Sequence, residues 1–213
     1  MKIVAVDICF TLIKKNTTID FIEFIFRNNK IFKIKNYFRK VISLFSPEFS
    51  RKYLIYQLKW FKREELDNLV EQFFTFYESS FNENVLEEIK KLRENWMKVL
   101  LLSASLDIIA SFLQKKYSFD AYASSILWFK NWVCTWKLDF DCSFWGKVTW
   151  LKKIFKKDYE KIDFSNSFFF SDSYDDIEVF RLFENNYLIV NNNFIDKRFE
   201  SEKLFDKVKK IYV

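Results

Sequence analysis

The sequence predicts an α/β fold: a parallel sheet with helices on both faces, plus a helical module inserted after the first strand. Three observations lead there. The β-branched run Ile3-Val4-Ala5-Val6 is apolar on both faces and ends on Asp7, as strands buried in parallel sheets do. Runs of the same kind recur at 99–102, 167–171 and 187–190, separated by stretches with helical spacing. Polar residues follow these runs immediately: Asp7 and Thr11, then Ser103, then Asp172 and Asp176. Open α/β sheets bind ligands at such strand ends.

From 17 to 80 the pattern is helical throughout. Asn16-Thr17-Thr18 offers a cap for a helix with Phe21, Ile22, Phe24 and Ile25 on one face. Residues 31–45 continue it with Ile34, Tyr37, Phe38, Val41 and Ile42. Pro47 and Glu48 open a further helix, which carries Tyr53, Leu54 and Leu58. Residues 63–66 open another, with Leu69, Val70, Phe73 and Phe74. The domain expectation is therefore a core of 1–15 and 81–213 and a helical cap module of 16–80. An alternative use of these aromatic stripes is a membrane-surface or partner-binding helix.

Residues 85–95 form an amphipathic helix and 99–102 a buried strand that ends in Ser103-Ala104-Ser105. A helix over 107–116 follows. Residues 121–142 alternate as strands or hairpins, with a turn near Lys130-Asn131. Helical spacing returns at 147–155, directly after Gly146. Beyond the strand at 167–171, a helix carries Val179, Leu182 and Phe183, 187–190 is a strand, and 201–210 is expected to be a last helix.

Composition excludes several chemistries. The 213 residues contain no His, which removes Ser-His-Asp, Cys-His and His-metal sites together. Cys9, Cys134 and Cys142 are odd in number and lack metal-ligand spacing, which suits a reducing cytoplasm. No apolar run reaches the length of a membrane span, and Asp7 interrupts the short N-terminal run, so neither a span nor a signal peptide is expected. The net charge of +6 comes largely from scattered lysines such as Lys152, Lys153, Lys156 and Lys157. It favours anionic substrates, while mixed Lys and Glu along the helices argue against a nucleic-acid stripe. With one Gly and one Pro, left-handed turn positions should fall to Asn at 28–29, 185–186 and 191–193.

An Asp nucleophile, two further carboxylates, a hydroxyl and a Lys at converging strand ends suit phosphoryl transfer. The order DxxxT (Asp7 to Thr11), hydrophobic run then Ser103, Lys147, then Asp172-Ser173-Tyr174-Asp175-Asp176 resembles the haloacid dehalogenase (HAD) superfamily. The inserted helices, Ser103-Ala104-Ser105 and Gly146-Lys147 with Leu151 are similar to its phosphoserine-phosphatase-like (IB-like) branch. The resemblance implies a Rossmann-like core and a phosphatase that acts on a small phosphorylated metabolite through an aspartyl-phosphate. On it, Asp7 is the nucleophile. Thr11, Ser103, Ala104 and Lys147 hold the phosphate. Mg²⁺ is bound by Asp7, the backbone carbonyl of Cys9, and Asp172, with Asp176 in support.

The first motif departs from the family pattern. Cys9 stands where family phosphatases carry a second Asp, the residue that protonates the leaving oxygen and later activates water. A thiol with a pKa near ~8.5 donates weakly at neutral pH, and acid–base help is worth about 10²–10⁴-fold in rate. Phe10 and Ser171 replace usual glycines. The competing readings are a catalytically impaired relative that binds a phospho-ligand or a partner, and a nucleic-acid binder using Lys, Trp and Tyr.

Overall fold

The computed structural model describes residues 1–30, 36, 39, 43, 46–143, 146–202 and 205–213. The apolar residues of the helical stretch expected at 31–45, Ile34, Tyr37, Phe38, Val41 and Ile42, lie outside the described residues. Seven strands form one sheet: β1 (Ile3–Val6), β2 (Lys98–Leu106), β3 (Ala121–Lys130), β4 (Val133–Phe140), β5 (Phe168–Ser171), β6 (Asn185–Val190) and β7 (Lys209–Tyr212). Their order is β4-β3-β2-β1-β5-β6-β7, parallel throughout except for the antiparallel β3–β4 hairpin. The expected α/β class is therefore observed, with β1 in the middle of the sheet.

The apolar runs behave as doubly buried strands should. Val4 and Val6 of β1, with Val99 and Leu101 of β2, enter one core; Ile3, Ala5, Leu100 and Leu102 enter the other. Helices α1 (Thr17–Ile25), α2 (Pro47–Tyr56), α3 (Arg63–Phe76), α4 (Glu83–Glu94) and α5 (Asp107–Tyr117) cover the first face. Helices α6 (Gly146–Phe155) and α7 (Ile177–Phe180) cover the second. Asn16 caps α1, its side chain accepting from the Ile19 backbone N–H. Phe21, Phe73 and Phe74 interlock edge to face, which ties α1 to α3. Leu54, Ile55 and Leu58, on α2 and just after it, reach the same cluster as Val4 and Val6, so the inserted helices share the core of the sheet.

Two expectations fail. The helix expected over 201–210 is replaced by 3₁₀ turns at Lys197–Ser201 and Phe205–Lys207 and by β7, with 203–204 outside the described residues. The outer edge of β6 presents unpaired N–H and C=O groups, and the segment Lys209–Tyr212 pairs with 187–190 to satisfy them. Left-handed backbone falls on Asn131, Asn192 and Asn193 but not on Asn28, Asn29, Asn185 or Asn186. Trp60, Trp96, Trp132 and Trp136 occupy such positions instead. Asn185 and Asn186 open β6, where their side chains hydrogen-bond neighbouring carbonyls.

The single glycine is required by close approach: a Cβ at Gly146 would collide with the carbonyl oxygen of Asp141. Gly146→Ala should lower stability by about 1–3 kcal/mol in chemical denaturation, since backbone rather than a flexible tip must give way. The Tyr187 hydroxyl donates to Glu88 at 2.7 Å, joining β6 to α4 and holding the Glu88 carboxyl below its ordinary range. Tyr187→Phe should cost about 1 kcal/mol at neutral pH. The deficit should shrink as the pH falls through the lowered Glu88 pKa, because the wild type then loses the same charged acceptor.

Candidate active site

Four separate segments meet at the carboxyl ends of β1, β2 and β5. Asp7 leaves β1 with its backbone N–H bonded to the Phe170 carbonyl at 2.9 Å, which fixes it beside β5. Lys147, in the first turn of α6, is 4% exposed and donates from Nζ to Asp7 Oδ1 at 2.7 Å and to Asp176 Oδ2 at 2.6 Å. Ser171, one of the two replaced glycines, donates its hydroxyl to Asp176 Oδ2 at 2.5 Å and accepts from the Ser173 N–H. Its side chain thus locks the loop that carries Asp172 and Asp176.

β2 reaches the site through a register shift. Leu102 pairs with Ala123 and Leu106 with Ser125, so 103–105 bulge out of the ladder. That bulge sets Ser103, Ala104 and Ser105 on the wall of a cavity of about 450 Å³, which Asp7, Lys147 and Asp172 also line. Ser103 Oγ accepts from the Ser105 N–H at 3.2 Å.

Of the residues expected at the site, Asp7, Cys9, Ser103, Ala104, Lys147, Asp172 and Asp176 line this cavity. Thr11 does not. It is fully buried, and its hydroxyl donates to Asp172 Oδ1 at 3.2 Å, so it orients that carboxylate from beneath. The Ala104 carbonyl is already occupied by Arg51 Nη2 at 2.8 Å and the Ser125 hydroxyl at 3.0 Å. Phe10 borders the cavity with a left-handed φ of 55°, a backbone that a glycine adopts without penalty and that costs other residues about 1–2 kcal/mol. Asn191 Nδ2 donates to the Phe10 carbonyl at 2.9 Å and braces it.

Arg51 escaped the sequence reading. From α2 it donates to Asp141 Oδ2 at 2.6 Å and to Ser125 Oγ at 2.8 Å, pinning the inserted helix across the cavity. The available signal was its position: Arg51 stands at i with Leu54, Ile55 and Leu58 at i+3, i+4 and i+7, a charge on an apolar stripe. Arg39 also lines the cavity, buried, with its guanidinium on Ser50 Oγ at 3.2 Å. Its neighbours in sequence gave no such clue.

Burial dominates the electrostatics. It pushes the Asp7 carboxyl above its ordinary range, with the Lys147 ammonium pulling the other way. Burial also opposes the charge on Lys147, but Asp176 and Asp7 outweigh it and hold its pKa above that of an ordinary lysine. Burial, then Asp7 and Asp176, raise Asp172 to about 7. The Cys9 thiol is pushed up to about 11 by burial and by Asp7, and its Sγ lies 3.2 Å from Thr17 Oγ1.

Three carboxylates thus share the site with one ammonium, which bonds two of them. Their oxygens are the donors a hard divalent cation takes, and the uncompensated negative charge fits such an ion. Among the described residues no three acidic or thiol side chains are already drawn round one metal-sized point, so the fit lies in donor chemistry and charge.

A mostly parallel α/β sheet with carboxylates, a lysine and a serine at its central strand ends defines a hydrolase-type crevice. The model of the haloacid dehalogenase-like hydrolases matches residues 6–181, and the chain belongs to that family. In fold it is similar to a protein of unknown function from Bordetella pertussis Tohama I, with a TM-score of 0.82 at 12% identity, covering 99% of this chain and 97% of that one. A HAD family hydrolase from Salmonella enterica serovar Typhi gives 0.70 at 15% identity over 99% and 67%. A phosphoserine phosphatase solved as its phospho-aspartyl intermediate analogue gives 0.64 at 18% identity over 100% and 92%. No curated protein matches the chain.

Removing the ammonium should expose its role. Lys147→Met leaves Asp7 and Asp176 buried without a counter-charge and should cost about 3–5 kcal/mol in urea unfolding. Adding Asp7→Asn should recover part of that loss, and so should acid pH, since either removes a stranded negative charge.

Proposed function

We propose that the protein is a phosphomonoesterase acting on a small phosphorylated substrate through an aspartyl-phosphate on Asp7. The observation that carries this reading is Lys147 Nζ held between Asp7 and Asp176 beside Ser103 at one end of the sheet. The phosphoserine phosphatase of similar fold, solved as a phospho-aspartyl analogue, supports it as a relative in architecture.

In the first step a carboxylate oxygen of Asp7 attacks phosphorus. One O–P bond forms, the bond to the substrate oxygen breaks, and the departing alkoxide takes up a proton from water. Ser103 and Lys147 hold the non-bridging phosphate oxygens, and Thr11 keeps Asp172 oriented. Water then attacks the phosphorus of the acyl phosphate, the P–O bond to Asp7 breaks, and the water's proton leaves with the inorganic phosphate or to solvent, restoring the Asp7 carboxylate. Asp7, the Cys9 carbonyl and Asp172, with Asp176 behind them, would hold Mg²⁺, which when bound offsets the charge on the phosphoryl group. On this reading residues 16–80 are the cap over the crevice and Arg51 fastens it to Asp141. The free thiols of Cys9, Cys134 and Cys142 suit a cytoplasmic setting.

Cys9 sets the limit of the chemistry. A thiol pushed up to about 11 stays protonated at neutral pH, so it supplies no base for the second step. As a proton donor it is much weaker than a carboxylic acid, so it assists an alkoxide leaving group less. The second reading, a phospho-ligand-binding relative with impaired turnover, draws on this same residue.

p-Nitrophenyl phosphate tests the two readings, because its leaving group needs little acid help. Mg²⁺-dependent phosphate release that disappears in Asp7→Asn is expected. Equal inertness of both folded proteins would favour the binding relative. Cys9→Asp should raise the rate on an alkyl phosphate by about 10²–10⁴-fold and on the aryl ester by much less. No gain on the alkyl ester would remove Cys9 as the cause of any weakness.

A further inference from the structure

Four of the five exposed tryptophans among the described residues gather on one face, far from even spacing over the surface. Trp60 follows α2; Trp128, Trp132 and Trp136 come from the β3–β4 hairpin. Trp60 and Trp132 are 74% and 79% exposed. Tyr56 stacks edge-on to Trp136 with ring centres 5.6 Å apart. Lys59 lies over both Tyr56 and Trp60, and Lys137 over both Trp128 and Trp136, so these four rings form one connected surface, with Trp132 at the tip of the hairpin beside it.

Backbone hydrogen bonds tie these segments together. The Trp60 N–H bonds the Cys134 carbonyl, the Cys134 N–H bonds the Phe61 carbonyl, and the Arg63 N–H bonds the Trp132 carbonyl. The loop after α2 thus extends the sheet past β4. Trp60, Trp132 and Trp136 all stand on left-handed backbone, with φ of 82°, 66° and 71°. Such backbone disfavours a bulky side chain, and the exposed rings of Trp60 and Trp132 gain little from burial in return.

The charges that lie over the rings are positive, those of Lys59 and Lys137. Lys59, Lys62, Lys130 and Lys137 have no ion-pair partner among the described residues. Of the acids nearby in sequence, Glu65 is engaged by the Lys62 backbone N–H and Asp67 by Arg63, while Glu64 and Asp139 are exposed.

We propose that this face docks the protein onto an anionic phospholipid surface. Amphipathic indole and phenol rings settle at headgroup level, and lysines beside them meet lipid phosphates. Two other partners fit less well. Single-stranded nucleic acid stacks bases on ring faces, but here lysine ammoniums already cover faces of Tyr56, Trp60, Trp128 and Trp136. Protein interface cores are depleted in lysine, whereas lysines are threaded among these rings. No described helix is long and apolar enough to cross a membrane, so engagement is peripheral. The proposal is independent of the chemistry at Asp7.

Vesicles of phosphatidylcholine with phosphatidylglycerol, compared with phosphatidylcholine alone, test it by co-sedimentation of the full chain and by tryptophan emission. The expected result is sedimentation with the anionic vesicles only, with a blue shift, weakened by salt. Each lysine near such a surface is worth about fivefold in partitioning, so Lys59→Gln with Lys137→Gln should reduce binding roughly twenty-five-fold. Trp60→Ser with Trp132→Ser should reduce it too and abolish most of the blue shift. Thermal melts confirm that each variant is folded, and the lysine pair keeps the test decisive should the tryptophan pair not fold. Absence of sedimentation, equal binding to neutral vesicles, or unchanged binding in the folded lysine variant would overturn the proposal. So would preference for a single-stranded oligonucleotide, or self-association through this face without vesicle binding.

Discussion

One buried ammonium holds the crevice together. Asp7, Asp172 and Asp176 come from two strand ends and would repel one another in a low-dielectric setting. Lys147 offsets that repulsion by bonding two of the three, and in doing so fixes the start of α6 against β1 and β5. The arrangement has its own demands. α6 must begin close to Asp141, which only a residue without a Cβ permits, and the one glycine of the chain stands there. Asp141 is in turn gripped by Arg51; burial raises that carboxyl, but the Arg51 guanidinium and the Ser143 hydrogen bonds together outweigh it and keep it below its ordinary range. A chain of contacts thus runs from the central carboxylates to the inserted helices.

The frame of the molecule was legible because burial writes itself into residue type. Strands buried on both faces read as unbroken apolar runs, and Ile3–Val6 and 99–102 fall where that rule puts them. The polar residues just past those runs were legible for the same reason. Features set by pairing partners were not. β7 exists because β6 has a free edge, and its lysine-rich segment carries no periodic mark of that. The bulge at 103–105, which turns Ser103 into the cavity, depends on a register between β2 and β3 that neither strand specifies alone. Thr11 was assigned to the phosphate by motif, whereas its buried position hands it to Asp172.

Scarcity of glycine shifted conformational strain onto unusual residues. Asparagine took part of it, at Asn131, Asn192 and Asn193, as its short polar side chain allows. Tryptophan took more than its chemistry suggests, and three of those positions lie on the lysine-bearing face. α2 connects that face to the crevice. Tyr56 stands five residues beyond Arg51, about 7.5 Å along the axis, so one short helix touches both.

The position of β1 also bears on how the chain acquires its structure. β1 pairs with β2, about a hundred residues later, and with β5, later still. β1 therefore has no partner strand until β2, about a hundred residues further along, has been made. High-contact-order topologies of this kind close large loops before native pairing rewards them, and they fold slowly. Until then Ile3–Val6 is a bare, sticky edge in a nascent chain. The crevice cannot form in advance of the sheet, because Asp7, Lys147 and Asp176 meet only when β1 is enclosed on both sides.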